Sequence, residues 1–348
     1  MTDSYTWHEI SSQPETWEAT LESFSSSRSA LESFLNHVTF DRLLIIGCGS
    51  TYYLAQAAAA GFTRHTAFPG HPLPSSELWL YPDTARHGRP LLLTISRSGK
   101  TSETLHALDR FIDTVGGPTL AITCYPERDL VHKADFSLVA PDAQEESVAQ
   151  TRSFTSMFLL SQALAAVLAH DEGMLDRLKR LPEALENLVD RLGDLPQTLG
   201  EDFSIRRMFF IGGGPLYGLA NEAMLKTKEM SLSQAETFHP LEIRHGPMSM
   251  VDEGTLIIGF LSNNALAQEI QVLKDMRALG ARVLALVEDG SVFRDWNPDY
   301  VIELGSGLDD WGRSALYLPP IQRLAFHRAV AQGLNPDRPT NLTAVVEL

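Results

Sequence analysis

The chain has 348 residues, 44% hydrophobic and 21% charged, an ordinary globular composition that is long for one core and comfortable for two domains. Its formal net charge of -16 argues against general binding to nucleic acid or an anionic membrane, both of which need a basic face. Cys48 and Cys124, the only cysteines, supply neither a disulfide framework nor a zinc spacing. The start, MTDSYTWHEISSQPETW, is too acidic and polar for a signal peptide. No stretch reaches the roughly 20 apolar residues that span a bilayer, so a cytoplasmic protein is expected.

In chain order, a helix is expected over 16–35. Arg42-Leu-Leu-Ile-Ile-Gly-Cys-Gly-Ser50 then reads as a buried strand running into a glycine turn, with a helix over 51–62. The stretch Leu91-Leu-Leu-Thr-Ile-Ser-Arg-Ser-Gly-Lys-Thr-Ser-Glu-Thr104 is an apolar strand that breaks into a loop with four hydroxyls and one glycine, followed by a helix over 103–115. Such a loop at a helix start offers hydroxyls and backbone N–H groups to an anion, and suits a phosphate. It lacks the spacing of a Walker loop or a GxGxxG fingerprint. The plainer alternative is a Ser/Thr-rich helix cap. A strand at Leu120-Ala-Ile-Thr123, an apolar helix over 151–170, a second over 175–192 and a linker over 193–200 come next.

The pattern then returns. Arg207-Met-Phe-Phe-Ile-Gly-Gly-Gly-Pro215 is again strand and glycine turn, with Gly47 and Gly212 lying 165 residues apart. Strands ending at Ile95 and Phe260, and those at Leu120 and Ala285, keep that offset of 165. The helices are expected to run to 231, over 265–279 and over 313–332, before Asn335-Pro-Asp-Arg-Pro-Thr340 leads into a tail. Three blocks at one offset indicate a duplication. Strands alternating with helices indicate parallel α/β layers with ligands at the C-terminal strand ends. Leu261-Ser-Asn-Asn264 has lost the hydroxyl cluster, so one phosphate site per chain is expected.

Asn221-Glu-Ala-Met-Leu-Lys-Thr-Lys-Glu-Met230 places Glu222, Lys226 and Glu229 at i, i+4 and i+7 on one helix face. This is either a surface ion-pair ladder or a carboxylate set for proton transfer beside a lysine. Ala235-Glu-Thr-Phe-His-Pro-Leu-Glu-Ile-Arg-His-Gly-Pro247 is poor helix and poor strand, so a functional loop is expected. His239, Glu242 and His245 do not share a helical face across Pro240, which disfavours a metal site. A histidine here suits general acid–base work or merely binds its own loop.

These segments together resemble the tandem SIS-domain phosphosugar enzymes, especially the isomerase half of glucosamine-6-phosphate synthase. Gly47-Cys-Gly-Ser-Thr51 is similar to the family's first sugar-binding loop and Ser96-Arg-Ser-Gly-Lys-Thr101 to its phosphate loop. Met224-Leu-Lys-Thr-Lys-Glu-Met-Ser231 is similar to the catalytic helix, Glu242-Ile-Arg-His-Gly-Pro247 to the histidine loop, and Ser147-Val-Ala-Gln-Thr-Arg-Ser-Phe-Thr155 to a segment lining the sugar. The resemblance implies two tandem SIS domains, each a parallel-sheet α/β/α sandwich, at 41–195 and 196–334, between an N-terminal helical segment (1–40) and a tail (335–348). It implies substrate contacts from Ser50, Thr51, Ser96, Arg97, Ser98, Thr101, Val148 and Gln150. Glu229 would shuttle a proton between C1 and C2 of the opened sugar, and Lys226 would orient or polarise it. His245 would open the ring from the neighbouring subunit of a homodimer. No cofactor or metal is implied.

The chain departs from the synthase in three ways. Arg97 and Lys100 replace a glutamine and a glutamate of the phosphate loop, and Ala344 stands where the synthase has a tail lysine that assists ring opening. The sequence also holds no glutaminase segment with its N-terminal cysteine, so glutamine is not the expected nitrogen donor. The expected function is aldose–ketose isomerisation of an amino-sugar 6-phosphate in the deaminating direction. Glucosamine 6-phosphate going to fructose 6-phosphate and ammonia is the first candidate. The alternatives are a fructosamine-6-phosphate deglycase and a phosphosugar-binding regulator without turnover.

Overall fold

The structure, a computed structural model, describes residues 4–85 and 87–344. Two compact units share the chain: one holds Ser12–Glu146, Gln150–Arg180 and the segment from Thr343, the other the residues up to Ser11, Ser147–Ala149 and Leu181–Leu342. Residues 345–348 of the expected tail lie outside the described residues.

The N-terminal segment is two helices, α1 (Tyr5–Ser11) and α2 (Gln13–His37), where one over 16–35 was expected. Pro14 sits in the first turn of α2, a position that needs no N–H donor, so the second helix can begin there.

The first unit is built on β1 (Arg42–Gly47), β2 (Gly70–Pro74), β3 (Pro90–Ile95), β4 (Thr119–Thr123) and β5 (Phe136–Val139). All pairings are parallel, in the order β2-β1-β3-β4-β5. β3 and β4 are buried along their whole length, as strands covered on both faces must be. Helices α3 (Ser50–His65), α4 (Ser75–Leu80), α5 (Ser102–Thr114) and α6 (Asp129–Lys133) follow successive strands. α5 buries Thr104, Ala107, Leu108 and Phe111, a helical stripe that packs on the sheet.

α7 (Arg152–Ala169) matches the expected apolar helix. It is long and apolar enough to cross a membrane, but 83% of it is buried inside the protein, which is how a core helix reads. The helix expected over 175–192 is instead α8 (Glu172–Leu178) and α9 (Leu181–Leu192). Pro182 can neither donate an N–H nor fit a continuous helix, so the chain restarts there. The expected linker over 193–200 is mostly a helix, α10 (Leu195–Glu201), with Pro196 in its first turn. Leu199 is buried, and a Cβ on Gly200 would lie 2.9 Å from Arg328 N.

The second unit repeats the first. β6 (Arg207–Ile211), β7 (Gln234–Phe238), β8 (Thr255–Phe260), β9 (Arg282–Val287) and β10 (Tyr300–Glu303) run parallel in the order β10-β9-β8-β6-β7. Strand by strand this is the topology of the first sheet. α11 (Pro215–Ser231), α12 (Leu266–Ala278) and α13 (Leu318–Ala331) are the counterparts of α3, α5 and α7. The helix expected over 313–332 opens with a 3-10 turn at Ser314–Tyr317, ahead of Pro319 and Pro320 in the first turn of α13. The segment expected to be loop from 235 carries the edge strand β7. Gln234 and Glu236 are exposed and Ala235 buried, an alternation too short to stand out from the surrounding prolines and charges.

Candidate active site

Each sheet reverses its strand order beside its first strand, between β1 and β3 and between β6 and β8. The crevice at the C-terminal end of such a reversal is where open α/β sheets bind ligands.

At the first reversal the glycine loop is closed tightly. A Cβ on Gly47 would lie 2.4 Å from the Thr51 carbonyl carbon, so only glycine lets α3 start so near β1. The Thr51 hydroxyl accepts from Cys48 N–H at 2.8 Å and donates to Cys48 O at 3.0 Å. It is 3% exposed and shapes the turn. Ser50, next to it, is also buried, at the first position of α3.

The serine loop joins β3 to α5. Ser96 Oγ and Thr101 Oγ1 lie 3.2 Å apart, and Ser96 Oγ accepts from Gly99 N–H at 3.2 Å. Ser98 Oγ accepts from Lys100 N–H at 3.2 Å. Ser98 and Thr101 are half-buried and Lys100 exposed, so hydroxyls, an ammonium and a helix start converge on one strand end. Arg97 points inward. Its Nη1 binds Glu145 Oε2 at 3.1 Å, with Glu145's side chain fully buried, and its Nη2 donates to Ala344 O at 3.1 Å. Gln150 carries a buried Oε1 that makes no hydrogen bond among the described residues, an acceptor suited to a ligand hydroxyl.

In the second unit a Cβ on Gly212 would lie 2.5 Å from Leu216 O, repeating the close approach at Gly47. α11 leads away from this loop and carries Glu222, Lys226 and Glu229 inward. Lys226 Nζ is 3.4 Å from Glu222 Oε1 and hydrogen-bonds Glu229 Oε2; the side chains are 1%, 0% and 19% exposed for Lys226, Glu222 and Glu229. The surface-ladder alternative is therefore excluded: only Glu229 reaches solvent. His245 follows a short 3-10 turn at Glu242–Arg244; its ring is exposed and makes no hydrogen bond among the described residues. His239 stacks on Tyr217 at a centroid distance of 3.7 Å, and burial holds its pKa below the usual value. Among the described residues no three His, Cys, Asp or Glu side chains are arranged to hold a metal ion.

Val148 belongs to a short piece of chain anchored in this unit. Its N–H donates to Asp337 O at 3.1 Å, and Glu9 of α1 accepts from Ser147 N–H at 3.1 Å and from the Ser147 hydroxyl. Glu269 and Asp310 take the backbone N–H groups of the loop after β8. Ser262 N–H donates to Glu269 at 2.7 Å, and Asn263 and Asn264 N–H donate to Asp310 at 2.8 and 3.2 Å. Arg313, fully buried, pairs with Asp310 at 2.5 Å.

The structure thus gathers Ser96, Ser98 and Thr101 in one loop and Lys226 with Glu229 on one helix, while Thr51 and Arg97 are engaged within the protein. Sequence reasoning missed Glu145, Glu9, Glu269 and Asp310. The offset of 165 that joins Glu145 to Asp310 was the available signal.

A duplicated parallel α/β protein with a hydroxyl-lined strand end and a buried Glu–Lys–Glu helix is the class these features define. The SIS domain profile matches residues 39–167 and 203–305, so the chain belongs to the SIS-domain family, as its motifs indicated. It is 28% identical over 309 residues to the isomerizing glutamine–fructose-6-phosphate aminotransferase of Methanothermobacter thermautotrophicus, covering 88% of this chain and 51% of that protein. The chain spans about half the length of the curated relatives it matches. Among solved structures it is similar to tagatose-6-phosphate ketose/aldose isomerase from Escherichia coli, with a TM-score of 0.88, 25% identity, and 98% and 96% of the two chains covered. Glucosamine-6-phosphate deaminase from Thermotoga maritima gives a TM-score of 0.81 at 29% identity, with 99% and 100% covered.

Proposed function

We propose that this protein is a phosphosugar isomerase that converts an amino-sugar 6-phosphate by deamination, with glucosamine 6-phosphate as the first substrate to test. Ser96, Ser98 and Thr101 hold the phosphate at the start of α5, with Ser50, Thr51, Val148 and Gln150 around the sugar. His245 moves the proton of the anomeric hydroxyl to the ring oxygen as the bond from that oxygen to C1 breaks, which opens the ring to the aldehyde. Glu229 takes the proton from C2 and returns it to C1, leaving an imine at C2 that water hydrolyses to fructose 6-phosphate and ammonia. Lys226 orients the open sugar. As in the family it resembles, the protein is a cytoplasmic homodimer in which His245 serves the neighbouring subunit.

The observation that carries this proposal is the Lys226 pair: a buried ammonium holds Glu229, the one carboxylate of its face that reaches solvent. Kinship with a glucosamine-6-phosphate deaminase structure supports the deaminating direction. A larger leaving amine, as in a fructosamine-6-phosphate deglycase, uses the same enolisation. A phosphosugar sensor is favoured by one feature: Ala344 offers the Arg97 side chain only a main-chain oxygen and has no acid–base group of its own. Ammonia release measured across a panel of amino-sugar phosphates and fructosamine phosphates separates these. Ammonia from glucosamine 6-phosphate supports deamination, a larger amine from a fructosamine phosphate supports the deglycase, and tight binding without release supports the sensor.

A further inference from the structure

The duplication sets a carboxylate beside each strand-end loop, and the two face different partners. Glu145 and Asp310 stand 165 residues apart, each between the last strand of its sheet and the long helix that follows. In the second unit Asp310 binds the loop directly, through the N–H groups of Asn263 and Asn264 at 2.8 and 3.2 Å. Its cation is Arg313, outside the loop and 2.5 Å away, and the pair sits on the amides that would otherwise be open to an anion. At the same offset, Ser98 and Gly99 are the counterparts of Asn263 and Asn264. There Glu145 faces Arg97 at 3.1 Å and accepts from Thr151 and Ser153 N–H at 2.7 and 3.1 Å. Gly99 N–H donates to Ser96 Oγ. The counterpart of Arg97 is Ser262, a side chain without charge.

We infer that Arg97 is a positioning residue that holds Glu145 off the phosphate loop, and that Asp310 closes the matching loop of the second unit as a built-in anion. The inference rests on the assignment of the phosphate to Ser96–Thr101. A buried carboxylate stripped of its cation turns to the nearest donors or repels a neighbouring anion. In the first unit Thr151 and Ser153 already donate to Glu145, so without Arg97 its charge is left uncompensated beside the loop that seats the phosphate. Arg97 therefore acts on phosphate through Glu145, and the chain seats one phosphate because only its first loop is kept open.

The test is calorimetric titration of the full chain with fructose 6-phosphate. Arg97→Ser is expected to weaken binding by about 30-fold or more, and Arg97→Ser with Glu145→Gln to recover to within about threefold of wild type. Arg97→Lys keeps the charge opposite Glu145 and is expected to stay within about tenfold. It also serves as the readout if Arg97→Ser does not fold, as judged by thermal melting. Unchanged affinity in Arg97→Ser overturns the inference, as does a folded double variant that binds no better than Arg97→Ser, because Arg97 would then touch the phosphate itself. A folded Arg97→Lys that loses binding overturns it too. Equilibrium dialysis with labelled inorganic phosphate tests the second loop: one equivalent per chain in wild type and two in Asp310→Ala are expected. Two equivalents in wild type, or one in a folded Asp310→Ala, would contradict its closure by Asp310. Full affinity in Ser98→Ala/Thr101→Ala removes the phosphate assignment and the inference with it, whereas loss there with unchanged Arg97→Ser removes the inference alone.

Discussion

Lys226 hydrogen-bonds Glu229 one turn ahead of it and stands 3.4 Å from Glu222 one turn behind, with its own side chain 1% exposed. Two carboxylates share one buried ammonium, and the three differ in their access to solvent. An exposed ladder of the same sequence would be worth a few tenths of a kcal/mol. Burial changes its meaning: the ammonium is held between two carboxylates, and the open member is presented beside it.

Lys226→Met removes the ammonium that Glu222 and Glu229 share. Breaking a buried pair from one side costs about 3–5 kcal/mol, and urea unfolding should show a loss of that size. Glu229→Gln keeps a hydrogen-bonding oxygen beside Lys226 and should cost far less. Similar small losses in both variants would mean that the lysine is not needed to balance the buried charge.

The phosphate loop can be tested without disturbing the core, because Ser98 and Thr101 are half-buried at the head of α5. Ser98→Ala with Thr101→Ala should leave the melting temperature nearly unchanged and weaken fructose 6-phosphate binding by about 1.5–3 kcal/mol for each lost charge-assisted hydrogen bond. Calorimetry reads the loss directly. Equal affinity in the double variant would place the phosphate elsewhere.

Glu269 gives the fold a pH dependence of known sign. Burial, opposed by the Ser262 N–H and hydroxyl, pushes its carboxyl from 4.5 up to about 7. Between those values the folded chain holds a proton that the unfolded chain has released. Stability from this group is complete below pH 4.5 and is lost as pH rises through about 7, a change of about 3 kcal/mol. Glu269→Gln stays neutral and should remove that slope. Denaturant melts of both proteins across the range check this, and parallel curves would contradict it.

The exposed His245 loop leads to a prediction about assembly. If it completes a neighbour's site in a homodimer, mixing inactive Glu229→Gln chains with inactive His245→Ala chains should restore part of the activity, since one site of each mixed dimer is intact. Failure of complementation, with subunit exchange demonstrated, would assign both residues to the same subunit.

The core strands and the duplication were legible in the sequence because β1, β3, β4 and their counterparts are mostly apolar runs at one offset. The edge strands β2 and β7 were not: one is Gly-His-Pro-Leu-Pro and the other Gln-Ala-Glu-Thr-Phe, half-exposed sequences that take strand form only through pairing with β1 and β6. Pro182 and Pro196 misled in opposite ways, the first dividing an expected helix and the second opening one inside an expected linker. At the site, spacing put Glu222, Lys226 and Glu229 on one face but could not say whether that face was wet. The partners of Arg97 were hidden as well, since Glu145 is 48 residues away in sequence and reaches it only through tertiary packing.

The central claim is that Glu229 moves a proton between two carbons of a sugar phosphate. Nuclear magnetic resonance of glucosamine 6-phosphate in deuterated water, with wild type and Glu229→Gln side by side, tests it most directly. Wild type should wash deuterium into the C2 position of the substrate or the C1 position of the product. Glu229→Gln should still bind but exchange about 10²–10⁴ times more slowly. Exchange at the wild-type rate in the variant, or tight binding by wild type with no exchange across the tested sugar phosphates, would contradict the account.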